Sequence, residues 1–170
     1  ESIGARAEYI RNGVSWERWL KNYRQLLSIK NPNLHISLSP TINSLCVSSL
    51  STFIELALKE AKLDGKSLGI RKNSVTTPKR MSPFMLDRSY LAYIDDTIEV
   101  INHYEPKDSS WAEYIIFLES LKTGIANETN KNSMRREFID FINTTDKHRK
   151  TNLLTTFPEY QKFWTEINSP

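Results

Sequence analysis

Arginine, glutamate and serine residues are concentrated in the first eleven positions of the chain. Arg6, Glu8 and Arg11 follow Ser2 at short spacing. An arginine guanidinium can bind a carboxylate through two parallel hydrogen bonds, and a neighbouring glutamate can orient the guanidinium. These residues therefore predict a site for a ligand that carries a carboxylate. A solvated, charged turn has the same composition, so the spacing leaves both interpretations open.

A second polar group follows a short alternating segment. Apolar and polar residues alternate from Leu34 to Ser39, which predicts a strand, and Pro40 ends it. Thr41 and Asn43 come directly afterwards, and the carboxyl end of a parallel strand is where ligand-binding groups commonly lie. Asn43 is therefore a further candidate for the site. The alternative is that its side chain satisfies the backbone of a turn.

The elements that must position these groups alternate between helix and strand. The stretch before Ser15 is expected to be a strand end followed by a loop, and Ser15 can cap the helix that follows. The apolar face of that helix consists of Trp16, Trp19, Leu20, Tyr23 and Leu27. The next helix is expected to end at Asp64-Gly65 and to bury Leu50, Phe53, Ile54, Ala57, Leu58 and Ala61. With a short strand at Leu68 and Ile70, this order predicts a parallel sheet wound with helices.

The composition changes between Lys72 and Arg88, where polar residues and two prolines predict a functional loop or a joint between domains. We therefore expect two regions, 1–85 and 86–170, of which the second is helical. Capping-box patterns at Ser110–Glu113 and Thr156–Glu159 predict two helix starts in that region. Its apolar helix faces contain Leu86, Tyr90, Tyr93, Ile94, Ile98, Ile101, Trp111, Tyr114, Ile115, Leu118, Met134, Phe138, Phe141, Ile142, Tyr160, Phe163, Trp164 and Ile167.

The overall composition is that of an ordinary folded domain. The chain has 170 residues, of which 39% are hydrophobic and 25% charged, enough for one compact core with an appendage. A net charge of +3 weighs against a nucleic-acid-binding domain, which concentrates basic residues. A nucleic-acid accessory domain is kept as a minor alternative, resting on Lys72, Lys79, Arg80, Arg135 and Arg136.

A single cysteine, Cys46, limits the chemistry further. One cysteine builds neither a disulfide framework nor a cysteine metal site, and the three histidines lack metal-ligand spacing. Its sparse use is compatible with a reducing compartment, so we expect a cytoplasmic protein. No apolar run approaches the roughly 18–20 residues needed to cross a bilayer, and the first residues lack a signal-peptide pattern. We therefore expect no membrane association.

Three stretches carry a resemblance to radical SAM enzymes, in particular the subgroup with twitch domains. The opening resembles the strand end that precedes an Arg/Glu-rich run and a Trp-bearing helix in that family. Pro40-Thr-Ile-Asn43 and the run from Asp146 to Asn152, followed by Phe157-Pro-Glu159, also resemble family segments. The resemblance implies an α/β fold: the remnant of a partial (β/α) TIM-like barrel with parallel strands, followed by a mainly helical C-terminal region.

The resemblance also implies a ligand, S-adenosylmethionine. By analogy with the family, Ser2 contacts the ribose of this cofactor and Arg11 its carboxylate. Arg6 and Glu8 belong to the same cofactor-binding group, and Asn43 faces the cavity. The segment that ends the chain is implied to close over the active site.

The cysteine signature of the family, CxxxCxxC, is absent from this chain. In the family it lies upstream and holds the [4Fe-4S] cluster that cleaves S-adenosylmethionine to a radical, which abstracts hydrogen from a substrate. We therefore expect a C-terminal portion that is inactive alone and whose partner is the missing N-terminal segment of the same protein. The substrate, peptide or small molecule, stays open. The alternative is a non-catalytic helical protein-interaction module, suggested by the aromatic helix faces from Tyr90 to Trp164.

Overall fold

The structure is a computed structural model that describes residues 1–104 and 106–168. It is mainly helical, with a small parallel sheet of two strands. The strands are β1 (Ile36–Leu38) and β2 (Leu68–Ile70). The helices are α1 (Gly4–Ile10), α2 (Trp16–Leu27), α3 (Leu50–Leu63), α4 (Leu91–Tyr104), α5 (Ser110–Asn127), α6 (Lys131–Arg149), α7 (Leu153–Thr156) and α8 (Gln161–Asn168). Short 3₁₀ turns lie at Val47–Ser49, Lys79–Met81, Pro83–Met85, Arg88–Tyr90 and Pro158–Tyr160.

The sheet is a β-α-β unit in which α3 connects β1 to β2. The strands pair in parallel, with Ile36 opposite Leu68 and Leu38 opposite Ile70. A parallel bridge between Ile42 and Ser74 extends the pairing beyond the strands. The predicted parallel arrangement of helix and strand is confirmed, and β1 occupies the centre of the alternating segment.

Helices α2 and α3 form where the apolar periodicity predicts them. The Ser15 hydroxyl caps α2 by accepting a hydrogen bond from the Arg18 N–H. Helix α3 buries every one of the six side chains expected on its apolar face. It ends at Leu63 with Asp64 as its C-cap, and the left-handed conformation of Gly65 (φ 63°) reverses the chain at little cost.

The opening stretch differs from its prediction, because Gly4–Ile10 is a helix and not a loop. Tyr9 anchors this helix by burying its ring and donating a hydrogen bond to Asp146 on α6. The Arg149 guanidinium donates to the Tyr9 carbonyl. These tertiary contacts stabilise a helix too short to be stable alone.

A helix begins at Ser110 as predicted, but the hydrogen bonds described at the two predicted capping boxes are not those of a capping box. At the start of α5, the Asp108 carboxylate accepts from the Ser110 N–H, and the Ser110 hydroxyl accepts from the Ile70 N–H on β2. The Thr156 hydroxyl, at the end of α7, donates to the carbonyl of Asn152, the N-cap residue of the same helix. Two of these contacts are local, whereas the one between Ser110 and Ile70 is tertiary and local spacing does not reveal it.

One hydrophobic core includes side chains from both regions proposed from the sequence, from Tyr9 to Phe163. The segment 72–88 packs against this core and buries Met85 and Leu86. The boundary at residue 85 stays a prediction. Among the described helices, none combines the length and apolar character needed to cross a membrane.

Candidate functional site

A cleft of about 530 Å³ lies between α2 and β1. The apolar wall from α2 includes Trp16, Trp19 and Tyr23, and the other side follows β1 from Ile36 to Pro40. Glu1, Ser2 and Arg11 also line it. Its volume lies within the range of small-molecule sites, roughly 300–1,000 Å³. Two of the residues predicted to bind a cofactor, Ser2 and Arg11, thus line one cleft.

Arg11 holds a carboxylate in this cleft. Its Nε donates to Oε2 of Glu1 at 3.1 Å, and its Nη2 donates to Oε1 of the same side chain. The Thr41 N–H, just beyond the carboxyl end of β1, also donates to Glu1 Oε1 at 3.1 Å. Arg11, Thr41 and Glu1, here named the strand-end site, therefore form a carboxylate receptor whose acceptor is supplied by the chain itself.

The electrostatics of the strand-end site favour a bound carboxylate anion. Burial opposes ionisation of Glu1, the hydrogen bonds from Arg11 and Thr41 and the charge of Arg11 favour it, and the pKa of this carboxyl is lowered. The hydrogen bond to Glu1 raises the pKa of Arg11. The Glu1 side chain is 7% exposed and that of Arg11 is 56% exposed, so a ligand could reach the guanidinium from solvent.

Ser2 is buried beside the strand-end site. Its hydroxyl lies 2.7 Å from the Ser49 hydroxyl, and either group can donate. The hydroxyl that donates in this pair keeps two lone pairs, and the one that accepts keeps its proton and one lone pair for a further partner. The Ser2 hydroxyl can therefore contact a polar ligand group that approaches from the cleft.

Arg6 and Glu8 have contacts elsewhere. Arg6 forms a part-buried ion pair with Glu159, with Nη2 to Oε2 at 3.0 Å, and Ser48 donates to the same carboxylate. Glu8 accepts from the Trp16 N–H at 2.9 Å, at the start of α2. Neither residue is among those that line the cleft.

Asn43 is buried in the turn that follows β1. Its side-chain carbonyl accepts from the Leu45 N–H at 2.9 Å, which is an Asx turn. Its backbone N–H donates to the sulfur of Cys46. Asn43 is not among the cleft-lining residues, and the interpretation as a turn-forming residue accounts for these contacts.

Sequence reasoning did not identify Glu1 as the partner of Arg11. The two residues are separated by α1, and no helical or strand spacing links positions 1 and 11. The aromatic wall was expected only as a core face. Its rings stack in series, with Trp16 on Trp19 at 5.1 Å and Trp19 on Tyr23 at 5.2 Å between centroids.

The described residues contain no group of three or more His, Cys, Asp or Glu side chains that could hold a metal ion. Cys46 is fully buried, and burial raises the pKa of its thiol to about 12. The described residues therefore do not supply a set of ligands for an iron–sulfur cluster, which would need ligands from another segment.

Many of the residues that suggested the two alternative functions, a protein-interaction module and a nucleic-acid accessory domain, are buried or paired within the fold. Tyr90, Trp111 and Tyr114 are buried on the aromatic helix faces, as are Phe138, Tyr160 and Phe163. Of the five basic residues, Lys72 pairs with Glu113, and the guanidinium of Arg80 lies over the ring of Phe141. Arg135 donates to the Met85 carbonyl and is 12% exposed.

Comparison with known proteins adds no relative. No family model matches the chain, and neither a curated protein nor a solved structure matches it.

Proposed function

We propose that this chain is the C-terminal part of a radical SAM enzyme and that its strand-end site contributes to the cavity for S-adenosylmethionine and substrate. The parallel β-α-β unit is then the remnant of a partial barrel, and α4 to α8 form the helical C-terminal region. The cluster is supplied by the missing N-terminal segment of the same protein. The substrate, peptide or small molecule, is left open.

The observation that carries this proposal is the strand-end site. Arg11 and the Thr41 N–H already hold a carboxylate, and S-adenosylmethionine carries one at its amino-acid end. Binding of the cofactor would displace the Glu1 side chain from Arg11. The Arg11 guanidinium and the Thr41 N–H fit the cofactor because donors that bind one carboxylate can bind another of the same geometry.

The residues of this chain would bind the cofactor. Arg11 and Thr41 hold the carboxylate, and the Ser2 hydroxyl offers a contact to the ribose. When bound, the cluster and S-adenosylmethionine supply the radical chemistry. Arg6, Glu8 and Asn43 hold α1, α2 and the β1 turn in place, and their proposed role is indirect.

The test is binding of S-adenosylmethionine by the complete polypeptide, measured by calorimetry. Arg11→Ala should weaken binding by about tenfold or more, since a hydrogen bond to a charged group contributes about 1.5–3 kcal/mol and the half-exposed Arg11 belongs at the lower end. Arg24→Ala is the matched control, because Arg24 holds Glu60 in a similar fork at similar exposure outside the cleft. Equal affinities of the Arg11 and Arg24 variants would contradict the role of Arg11.

A further inference from the structure

The two edges of the sheet differ in how their backbone groups are hydrogen-bonded. On the far side of β2, the Ile70 N–H donates to the Ser110 hydroxyl at 2.9 Å. The indole N–H of Trp111 donates to the Leu68 carbonyl at 2.6 Å. Helix α5 thus satisfies the backbone groups that a further strand would use. The sheet ends at β2.

Among the residues that the structure describes, none pairs with the outer edge of β1. The Leu38 carbonyl accepts from the Arg71 N–H, so the backbone groups of Ile36 and Leu38 face β2. Those of Ser37 and Ser39 must therefore point the other way, since backbone direction alternates along a parallel strand. Ser37 and Ser39 line the cleft. A parallel strand is normally paired and covered on both sides, which this edge is not.

The lining of the cleft beside this edge suits a β-strand. Val14 and Leu26, both exposed large hydrophobic side chains, line it together with the aromatic wall of α2. A strand placed there would turn every second side chain toward that wall. It would also give Ser37 and Ser39 hydrogen-bond partners.

The residues at the carboxyl end of the cleft indicate which segment this strand belongs to. Glu1 bonds to the Thr41 N–H, and Ile3 has an extended backbone (φ −126°, ψ 160°) just before α1. A strand leading into Glu1 would run parallel to β1, with α1 and α2 as the crossover. This repeats the β1-α3-β2 connection, and such crossovers are right-handed with few exceptions.

We propose that the open edge of β1 pairs with a third, parallel strand formed by residues that lead into Glu1. Its side chains alternate, with every second one apolar and packed on α2. The proposal rests on the proposed function for the expectation of an upstream segment. The strand occupies the cleft alongside β1, and the strand-end site lies at its carboxyl end.

The first experiment is amide hydrogen exchange by NMR on the complete natural polypeptide and on the 170-residue chain. The Ser37 and Ser39 amides should exchange at least about 100-fold more slowly in the complete polypeptide. The Leu38 amide faces β2 and is the internal control, protected in both. Fast exchange of Ser37 in the complete polypeptide would overturn the proposal, as would a reading frame without residues before Glu1. Protection that depends on protein concentration would assign the edge to a second copy and overturn it too.

A pair of variants tests the packing side of the strand. Leu26→Asp places a charge on the cleft wall, whereas Leu63→Asp changes an exposed leucine on α3 that does not line the cleft. In the complete polypeptide only Leu26→Asp should lower Tm, by several degrees. Equal Tm values for the two variants would contradict the packing. Because neither measurement involves S-adenosylmethionine, a protected Ser37 in a protein that does not bind the cofactor would separate this proposal from the proposed function.

Discussion

Substitution of Trp111 by Phe tests whether α5 closes the edge of the sheet. Trp111 is 2% exposed, and its indole N–H is a donor to the Leu68 carbonyl. Phe keeps an aromatic ring but removes that donor, which leaves a buried carbonyl without its partner. The unpaired carbonyl costs about 1–3 kcal/mol. The smaller ring leaves a cavity that adds about 1 kcal/mol. We expect Trp111→Phe to lower the free energy of unfolding by about 2–4 kcal/mol.

The assay is urea unfolding followed by circular dichroism. With a slope of about 2–3 kcal/mol/M, the midpoint should fall by about 1 M while the slope is unchanged. Trp16→Phe is the control, because Trp16 is half-buried at the cleft and its ring stacks on Trp19. We expect that variant to lose less than about 1 kcal/mol. Equal losses for the two variants would refute the reasoning, because the bond to Leu68 would then contribute nothing specific.

Three further predictions concern other parts of the core. Glu159→Gln removes the charge that pairs with an arginine on α1 and should cost about 1–3 kcal/mol in urea unfolding, whereas Glu166→Gln, at an exposed pair, should be near neutral; equal costs would contradict the ion pair. Since burial raises the pKa of the Cys46 thiol to about 12, iodoacetamide near neutral pH should label it only after unfolding, and rapid labelling of the folded chain would show that the thiol is accessible. A Cβ at Gly124 would lie 2.5 Å from the Phe84 ring, so Gly124→Ala should lower Tm and Phe84→Leu should restore part of the loss; a higher Tm for the single variant would show that helix propensity outweighs the clash.

Helix α3 and the two strands beside it could be predicted from the local pattern of apolar residues. Helix α3 combines a continuous apolar face with an end at Gly65, and both signals are contained in one short stretch. The two strands could be predicted because apolar residues alternate before that helix and are close together after it. In contrast, α1 was expected to be a loop, because its stability comes from contacts of Tyr9 with α6.

The polar contacts of the site could be predicted only in part. Residue types identified Arg11 and Ser2 as candidates, and both line the cleft. Their partners, Glu1 and Ser49, are set by contacts of the residues before α1 with Thr41 and with the 3₁₀ turn Val47–Ser49. The same limit applies to Glu159, which meets an arginine 153 positions away. Long-range pairs of this kind have no spacing signal, so they appear only with the tertiary structure.

The measurement that tests the central claim most directly is cleavage of S-adenosylmethionine by the complete polypeptide, reconstituted anaerobically with iron and sulfide and supplied with a reductant. The account predicts a cluster absorption band and formation of 5′-deoxyadenosine, with a KM for S-adenosylmethionine raised about tenfold or more by Arg11→Ala and unchanged by Arg24→Ala. A complete polypeptide with no cluster and no 5′-deoxyadenosine would contradict the proposed function.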